Sequence, residues 1–259
     1  MKKLTVGSLF AGIGGIDLGL ERTGGFETVW QVEIDDYARR VLATHWPHVR
    51  RWDDVRTFPP EPADEWRCDV ICGGFPCQDV SVAGNRAGIE GERSGLWFQF
   101  ARIIRKIRPR YVIVENVSGL LDRGMGRVLG ELAESRYDAE WISISASEFG
   151  ADHERERVYL LAYPSEKQRC YVLHTPASAR EFHREYFHHW GKERDWGLGL
   201  SCGCRLGVIR RAIEAGVFRM ADGLPDRVES RLGCLGNAVV PQVAQWIGER
   251  ILEAERSLR

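Results

Sequence analysis

Short apolar runs alternate along the chain with segments whose apolar residues recur every three or four positions. Residues 3–10, "KLTVGSLF", read as a strand, and 14–24, "GGIDLGLERTG", as a helix with a glycine stop. A second strand, "ETVWQVEID" (27–35), precedes a helix, "DDYARRVLATHW", capped by Asp35 or Asp36. "CDVICGG" (68–74) is a third strand. "SGLWFQFARIIRKIRP" is an amphipathic helix ended by Pro109, and "RYVIVENV" (110–117) is a β-branched fourth strand. A helix over 124–137 and strands over 139–149 and 156–163 follow. Such alternation predicts a doubly wound, Rossmann-like α/β fold with a mostly parallel sheet and helices on both faces. From Pro164 the periodicity fails, and it returns only in "LGNAVVPQVAQWIGERILEAE", a turn followed by a helix. The expected division is therefore a main domain over 1–163, a small variable lobe over 164–220, and a segment over 221–259 that returns to the main domain.

Composition changes this picture little. The chain has 259 residues, 44% apolar and 28% charged, with a net charge of −1, enough for one sizeable domain. It has no run of eighteen apolar residues and enters a glycine turn almost at once, so neither a membrane span nor a cleaved signal is expected. Seven scattered cysteines fit a reducing cytoplasm better than a disulfide framework. Charge is uneven, however. Residues 165–220 carry ten Lys and Arg against six Asp and Glu, with four of the seven histidines, on an otherwise acidic chain. One basic face suits a polyanion, or it is simply a solvated loop.

The chemistry-bearing stretches lie where predicted strands end. "LFAGIGGIDLGLE" places Gly12, Gly14 and Gly15 between strand and helix, where backbone can approach a ligand closely. Glu33 ends the second strand about twenty residues on, where doubly wound folds bond ribose hydroxyls. Asp54 could accept from an adenine amino group, and each carboxylate also reads as a cap or a surface charge. "GGFPCQDVSVAG" (73–84) carries Cys77 just beyond a central strand, with proline and two relaxing glycines controlling its approach. The polar, glycine-rich residues that follow, to position 95, are long enough for a lid. Glu115 ends the next strand, where partial desolvation raises its pKa and lets it donate a proton. Arg155 and Arg157, two apart on the last strand, share a face and could brace that acid or hold a carbonyl oxygen. A thiol beside a protonated carboxyl suits attack on an electron-poor heterocycle whose ring nitrogen gains a proton.

In this order, "FAGIGG", Glu33, Asp54, "GGFPCQ", "ENV", "RER" and "GNAVVP" resemble the blocks of the DNA (cytosine-5)-methyltransferases along nearly the whole chain outside the lobe. The resemblance implies a class I methyltransferase fold and a methyl transfer from S-adenosylmethionine to C5 of a flipped cytosine. By position, Cys77 would add to C6, Glu115 would bind and protonate N3, and Arg157 would bond the base O2 and Glu115, with Arg155 beside the thiol. The cofactor would rest on Phe10, Gly12 and Gly14. Glu33, with Ile34, would hold its ribose, and Asp54 and Val55 its adenine. Leu96, Asn237 and Val239 would complete the wall, with Pro76 near the methyl-bearing end. Ser81, on the lid, would contact DNA phosphate, and Gln78 is a further DNA contact. The chain departs from the family at "HERER", with His153 where glutamine is usual and Asp152 where proline is common, and at Asp53–Asp54, where Gly-Asp is usual. The expected partner is double-stranded DNA in a restriction–modification or phage-protection setting, and the expected enzyme is monomeric and cytoplasmic. No metal is expected, because "SCGC" (201–204) lacks common zinc spacing. The alternatives are a tRNA cytosine-5 methyltransferase, a silent DNA-binding relative, and a nicotinamide-dependent dehydrogenase, the last disfavoured by the G-x-G-G pattern.

Overall fold

The computed structural model describes residues 2–76, 95–149, 155–165, 173 and 238–257. Seven strands form one sheet: β1 (Leu4–Leu9), β2 (Phe26–Val32), β3 (Arg50–Trp52), β4 (Val70–Gly73), β5 (Tyr111–Val117), β6 (Tyr137–Ser145) and β7 (Glu156–Pro164). Their spatial order is β3-β2-β1-β4-β5-β7-β6. Strands β1 to β5 pair in parallel, while β7 runs antiparallel to both β5 and β6. The helices are α1 (Gly15–Arg22), α2 (Asp36–His45), α3 (Leu96–Ile107), α4 (Leu120–Arg123), α5 (Met125–Glu134) and α6 (Pro241–Ser257). The doubly wound α/β class expected from periodicity is the observed one. The three-residue edge strand β3 is an addition, too short and too charged to register as a strand in sequence.

Strand parity builds two cores. Val112, Val114, Leu160 and Ala162 face α3 and α5, joined by Ile71 and the helix residues Phe100, Ile104 and Val128. Tyr111, Ile113, Tyr159 and Leu161 face the other way, against α1 and α6 through Ile16, Leu20, Trp246 and Ile251. Burial on both faces explains why β5 and β7 read as near-continuous apolar runs. Asp35, rather than Asp36, caps α2, its side chain accepting from the Ala38 amide at 2.7 Å. Helix α3 ends on Arg108 in the left-handed region (φ 57°), just before Pro109. Helix α6 begins at Pro241, the position where a missing N–H costs least.

Two consequences of the topology matter for function. The strand order reverses between β1 and β4, so the turns leaving these two strands flank the crevice in which open α/β sheets hold ligands. Because β7 is antiparallel, its first residues lie beside the last residues of β5: Arg157 pairs with Val117 and Tyr159 with Glu115. The expected lobe over 164–220 lies almost wholly outside the described residues, as do "SCGC" and the basic cluster. Among the described residues no helix is long and apolar enough to cross a membrane.

Candidate active site

Glu115 is the charged residue of β5, and parity turns it toward the α1/α6 face with Tyr159. It is 8% exposed, and Arg157 Nε lies 3.1 Å from its Oε1. Burial raises its pKa, a shift opposed but not cancelled by the charges of Arg157 and Arg155. The Tyr159 hydroxyl is pushed up as well, by burial first and by the neighbouring carboxylate second. Arg155 donates from Nη1 to the Ala238 carbonyl at 3.0 Å, drawing the segment before α6 to the site. Glu115, Arg155, Arg157, Tyr159, Val239 and Val240 line a shared recess. The structure thus brings the sequence-selected acid and both arginines together, with Val239 beside them. A carboxyl whose neutral form is favoured by burial, with cations beside it, can donate to a ring nitrogen and then have the resulting anion held by those cations.

The turn leaving β4 meets this group directly. A Cβ on Gly74 would lie 2.6 Å from Glu115 Oε2, and one on Gly73 would lie 2.1 Å from the Leu9 carbonyl oxygen. Neither glycine has a positive φ. The sequence expectation that they relax the chain is therefore corrected: they are needed for space, one against β1 and one against the acid. Phe75 is buried against Trp97, with ring centroids 5.3 Å apart. Its carbonyl accepts from Asn116 Nδ2 at 3.1 Å, so the residue after Glu115 anchors the segment leading toward position 77. That role of Asn116 was not read from sequence, although "ENV" drew attention to it. Cys77, Gln78 and Ser81 lie outside the described residues, and so does Asn237.

Gly74→Ala provides a direct test of the contact with the acid. The added methyl meets the mobile end of a side chain, so the fold should survive while the carboxyl is displaced. The variant should unfold within a few degrees of the wild type yet lose about tenfold or more in catalytic rate, since small misplacements of catalytic groups are costly. An unchanged rate, measured beside a thermal melt, would show that the carboxyl has no fixed place to lose.

At the other side of the crevice, Phe10, Gly12 and Gly14 have φ of 52°, 56° and 84°, and the two glycines make that left-handed turn accessible. The Gly12 amide donates to Glu33 Oε2 at 2.7 Å, and the Asp35 amide to Glu33 Oε1 at 2.8 Å. Each carboxylate oxygen keeps a free acceptor direction for a hydroxyl. A Cβ on Gly12 would meet nothing within 4 Å, so the backbone there faces open space. Ile34, beside Glu33, is 66% exposed, an apolar surface a flat ring could cover. Asp54 accepts from the Arg56 amide at 2.9 Å and has a partly exposed side chain, whereas Val55 is buried and can offer only its backbone. Leu96 opens α3 and is half-buried, and Pro76 ends the described part of the β4 turn. Gly12, Glu33 and Ile34 thus fit an adenosyl group.

Beneath that turn lies a buried carboxyl that sequence reading missed. Asp17 is fully buried and accepts from Ser8 Oγ at 3.0 Å and Gln31 Nε2 at 3.1 Å. Burial, against those two hydrogen bonds, pushes its pKa up to about 6. It ties β1 and β2 to the first turn of α1, and its only signal in sequence is an acid inside an apolar helical face.

Comparison with known proteins gives a consistent result. The family model described as C-5 cytosine-specific DNA methylase matches residues 4–193. The type II methyltransferase M2.BsuMI of Bacillus subtilis (strain 168) is 29% identical, the match covering 98% of this chain and 77% of that protein. The type II methyltransferase M.Bsp6I of Bacillus sp. (strain RFL6) is 39% identical over 62% of this chain and 52% of its own length. Among solved structures, a putative DNA modification methyltransferase encoded within a prophage (E. coli) aligns with a TM-score of 0.55 at 26% identity, covering 65% of this chain and 49% of that one. The chain thus spans about three-quarters of the first relative and about half of the other two.

Proposed function

The chain belongs to the C-5 cytosine-specific DNA methylases, the DNA cytosine-5 methyltransferase family, and from that premise we propose that it methylates C5 of a flipped cytosine in double-stranded DNA through a transient Cys77–C6 bond. S-adenosylmethionine, when bound, supplies an electrophilic methyl on its sulfonium. The Cys77 thiolate adds to C6 while Glu115 gives its proton to N3, which leaves C5 electron-rich. After C5 has gained the methyl, loss of its proton to a base expels the thiolate, restores the ring and returns the N3 proton to Glu115. Arg157 holds Glu115 and the base O2, and Arg155 stands beside the thiol and lowers its pKa.

The observation that carries this reading is the buried Glu115, its pKa raised by burial, which leaves no room for a side chain on Gly74 at the start of the segment that bears Cys77. Three peptide units, about 11 Å at full extension, separate Gly74 from position 77. For the cofactor, Phe10, Gly12 and Gly14 form the cradle. Glu33 and Ile34 take the ribose, Asp54 and the Val55 backbone the adenine, and Leu96, Asn237, Val239 and Pro76 the remaining wall. Ser81 and Gln78 contact the DNA, and residues 164–220 read its sequence. The proposed setting is restriction–modification or phage protection, a reading supported by relatives named as type II methyltransferases and by a solved neighbour named as encoded within a prophage.

Bisulfite sequencing of DNA from cells expressing the chain tests this directly. Protected cytosines in one fixed sequence context are the expected result. In parallel, labelled methyl appearing in tRNA and never in duplex DNA would move the substrate to RNA.

A further inference from the structure

We propose that Arg102 is a positioning residue for the adenosyl half of the cofactor: it clamps the 54–58 turn to α3 and so sets where Asp54 and the Val55 backbone stand. The inference rests on the cofactor reading above and deepens it. From Nη2, Arg102 donates to the carbonyls of Phe58 at 2.6 Å and Val55 at 3.0 Å, with that of Arg56 at 3.4 Å, while Nε donates to Gln99 Oε1 at 2.8 Å. All four acceptors are neutral, so this cation is spent on backbone geometry. Desolvation accordingly disfavours its charged form.

The turn is built to need such a donor. Val55 and Phe58 point inward, and the Phe58 ring packs 4.7 Å from Trp30 and 5.0 Å from Trp66 between centroids. The Thr57 amide closes onto the Asp54 carbonyl at 3.1 Å, and the Arg56 amide onto the Asp54 side chain. With side chains buried and amides turned inward, the carbonyls of 55, 56 and 58 converge on one point, which the guanidinium occupies. The fixed fork lets Nη2 serve the carbonyls while Nε stays bonded to Gln99 on α3, a division between two nitrogens that a single ammonium lacks. Arg102 also lies six residues, about 9 Å of helix, from Leu96. One side chain therefore locks two proposed walls of the adenosyl site to each other.

The test uses the full chain with Arg102→Met and Arg102→Lys. S-adenosylhomocysteine binding is measured by titration calorimetry, kcat at saturating S-adenosylmethionine, and stability by thermal melt. Hydrogen bonds to a charged group justify an expected rise in Kd of about 10- to 100-fold for Arg102→Met, with partial recovery in Arg102→Lys and kcat largely kept. A second readout separates positioning from simple bracing. The wild type should bind an N6,N6-dimethyl analogue of S-adenosylhomocysteine more weakly than the parent, and Arg102→Met should lose much of that discrimination. Unchanged Kd, discrimination fully retained, or failure of both variants to fold would each overturn the proposal. A wild-type chain that binds no S-adenosylhomocysteine would instead overturn the cofactor reading, and this inference with it.

Discussion

Cys77→Ala should abolish methyl transfer, a loss on the order of 10⁴-fold or more by analogy with removal of other enzymatic nucleophiles, while cofactor affinity stays close to that of the wild type. The reasoning is chemical before it is structural. Cytosine C5 is a poor nucleophile until addition at C6 breaks the aromaticity of the ring and leaves an enamine, and Cys77 is the group to which the proposal assigns that addition. The segment leading to Cys77 is well anchored. Gly73 passes β1 where no side chain fits, Gly74 touches the acid, and Phe75 is fixed by Trp97 and Asn116. Incubation with duplex DNA containing 5-fluorocytosine should yield a covalent adduct with the wild type, visible by intact mass, and none with the variant. An active Cys77→Ala enzyme would end the covalent mechanism outright.

Glu115→Gln should lower the rate by about 10²- to 10⁴-fold, the usual weight of a positioned general acid. The amide keeps the shape of the carboxyl and can still bond N3, but it cannot give up a proton. In the wild type, activity should fall on the alkaline side as Glu115 loses its proton, and that limb should vanish in Glu115→Gln. Stability should carry the same signature. Because the folded-state pKa is raised, mainly by burial, the unfolded chain loses this proton at lower pH than the folded one. The stabilising contribution is therefore complete below the ordinary carboxyl range and is lost as pH rises through the folded value. Thermal melts across that range should fall more steeply for the wild type than for Glu115→Gln. Parallel curves would mean that Glu115 titrates normally.

Much of this site was legible in sequence because its residues sit at strand ends, where periodicity stops and glycine, proline or a lone charge stands out. Glu115 follows a run of β-branched residues, and Arg155 and Arg157 share parity, so their common face needed no coordinates. Glu33 was found in the same way, and it bonds the Gly12 amide as a ligand-facing acid in this turn would. What escaped were residues whose importance lies in a partner distant in sequence. Asn116 matters through Phe75, Arg102 through carbonyls more than forty residues earlier, and Asp17 through Ser8 and Gln31. A carbonyl leaves no mark in the sequence, and a hydrogen bond across two elements has no period.

By itself, the amino-acid order determined the class of fold and the face each strand residue takes, and it singled out the acid and the two arginines that the structure brings together. Side-chain alternation is a local property of extended backbone and survives any arrangement of the strands. Only the tertiary structure decided that β7 enters between β5 and β6 and runs against them. A parallel β7 would have carried Arg157 to the opposite rim of the sheet, away from Glu115. It also decided that Gly73 and Gly74 are small because backbone and carboxyl already fill the space a side chain would need. Strand pairing and close approach depend on which surfaces meet, and that is set by the packing of the whole chain.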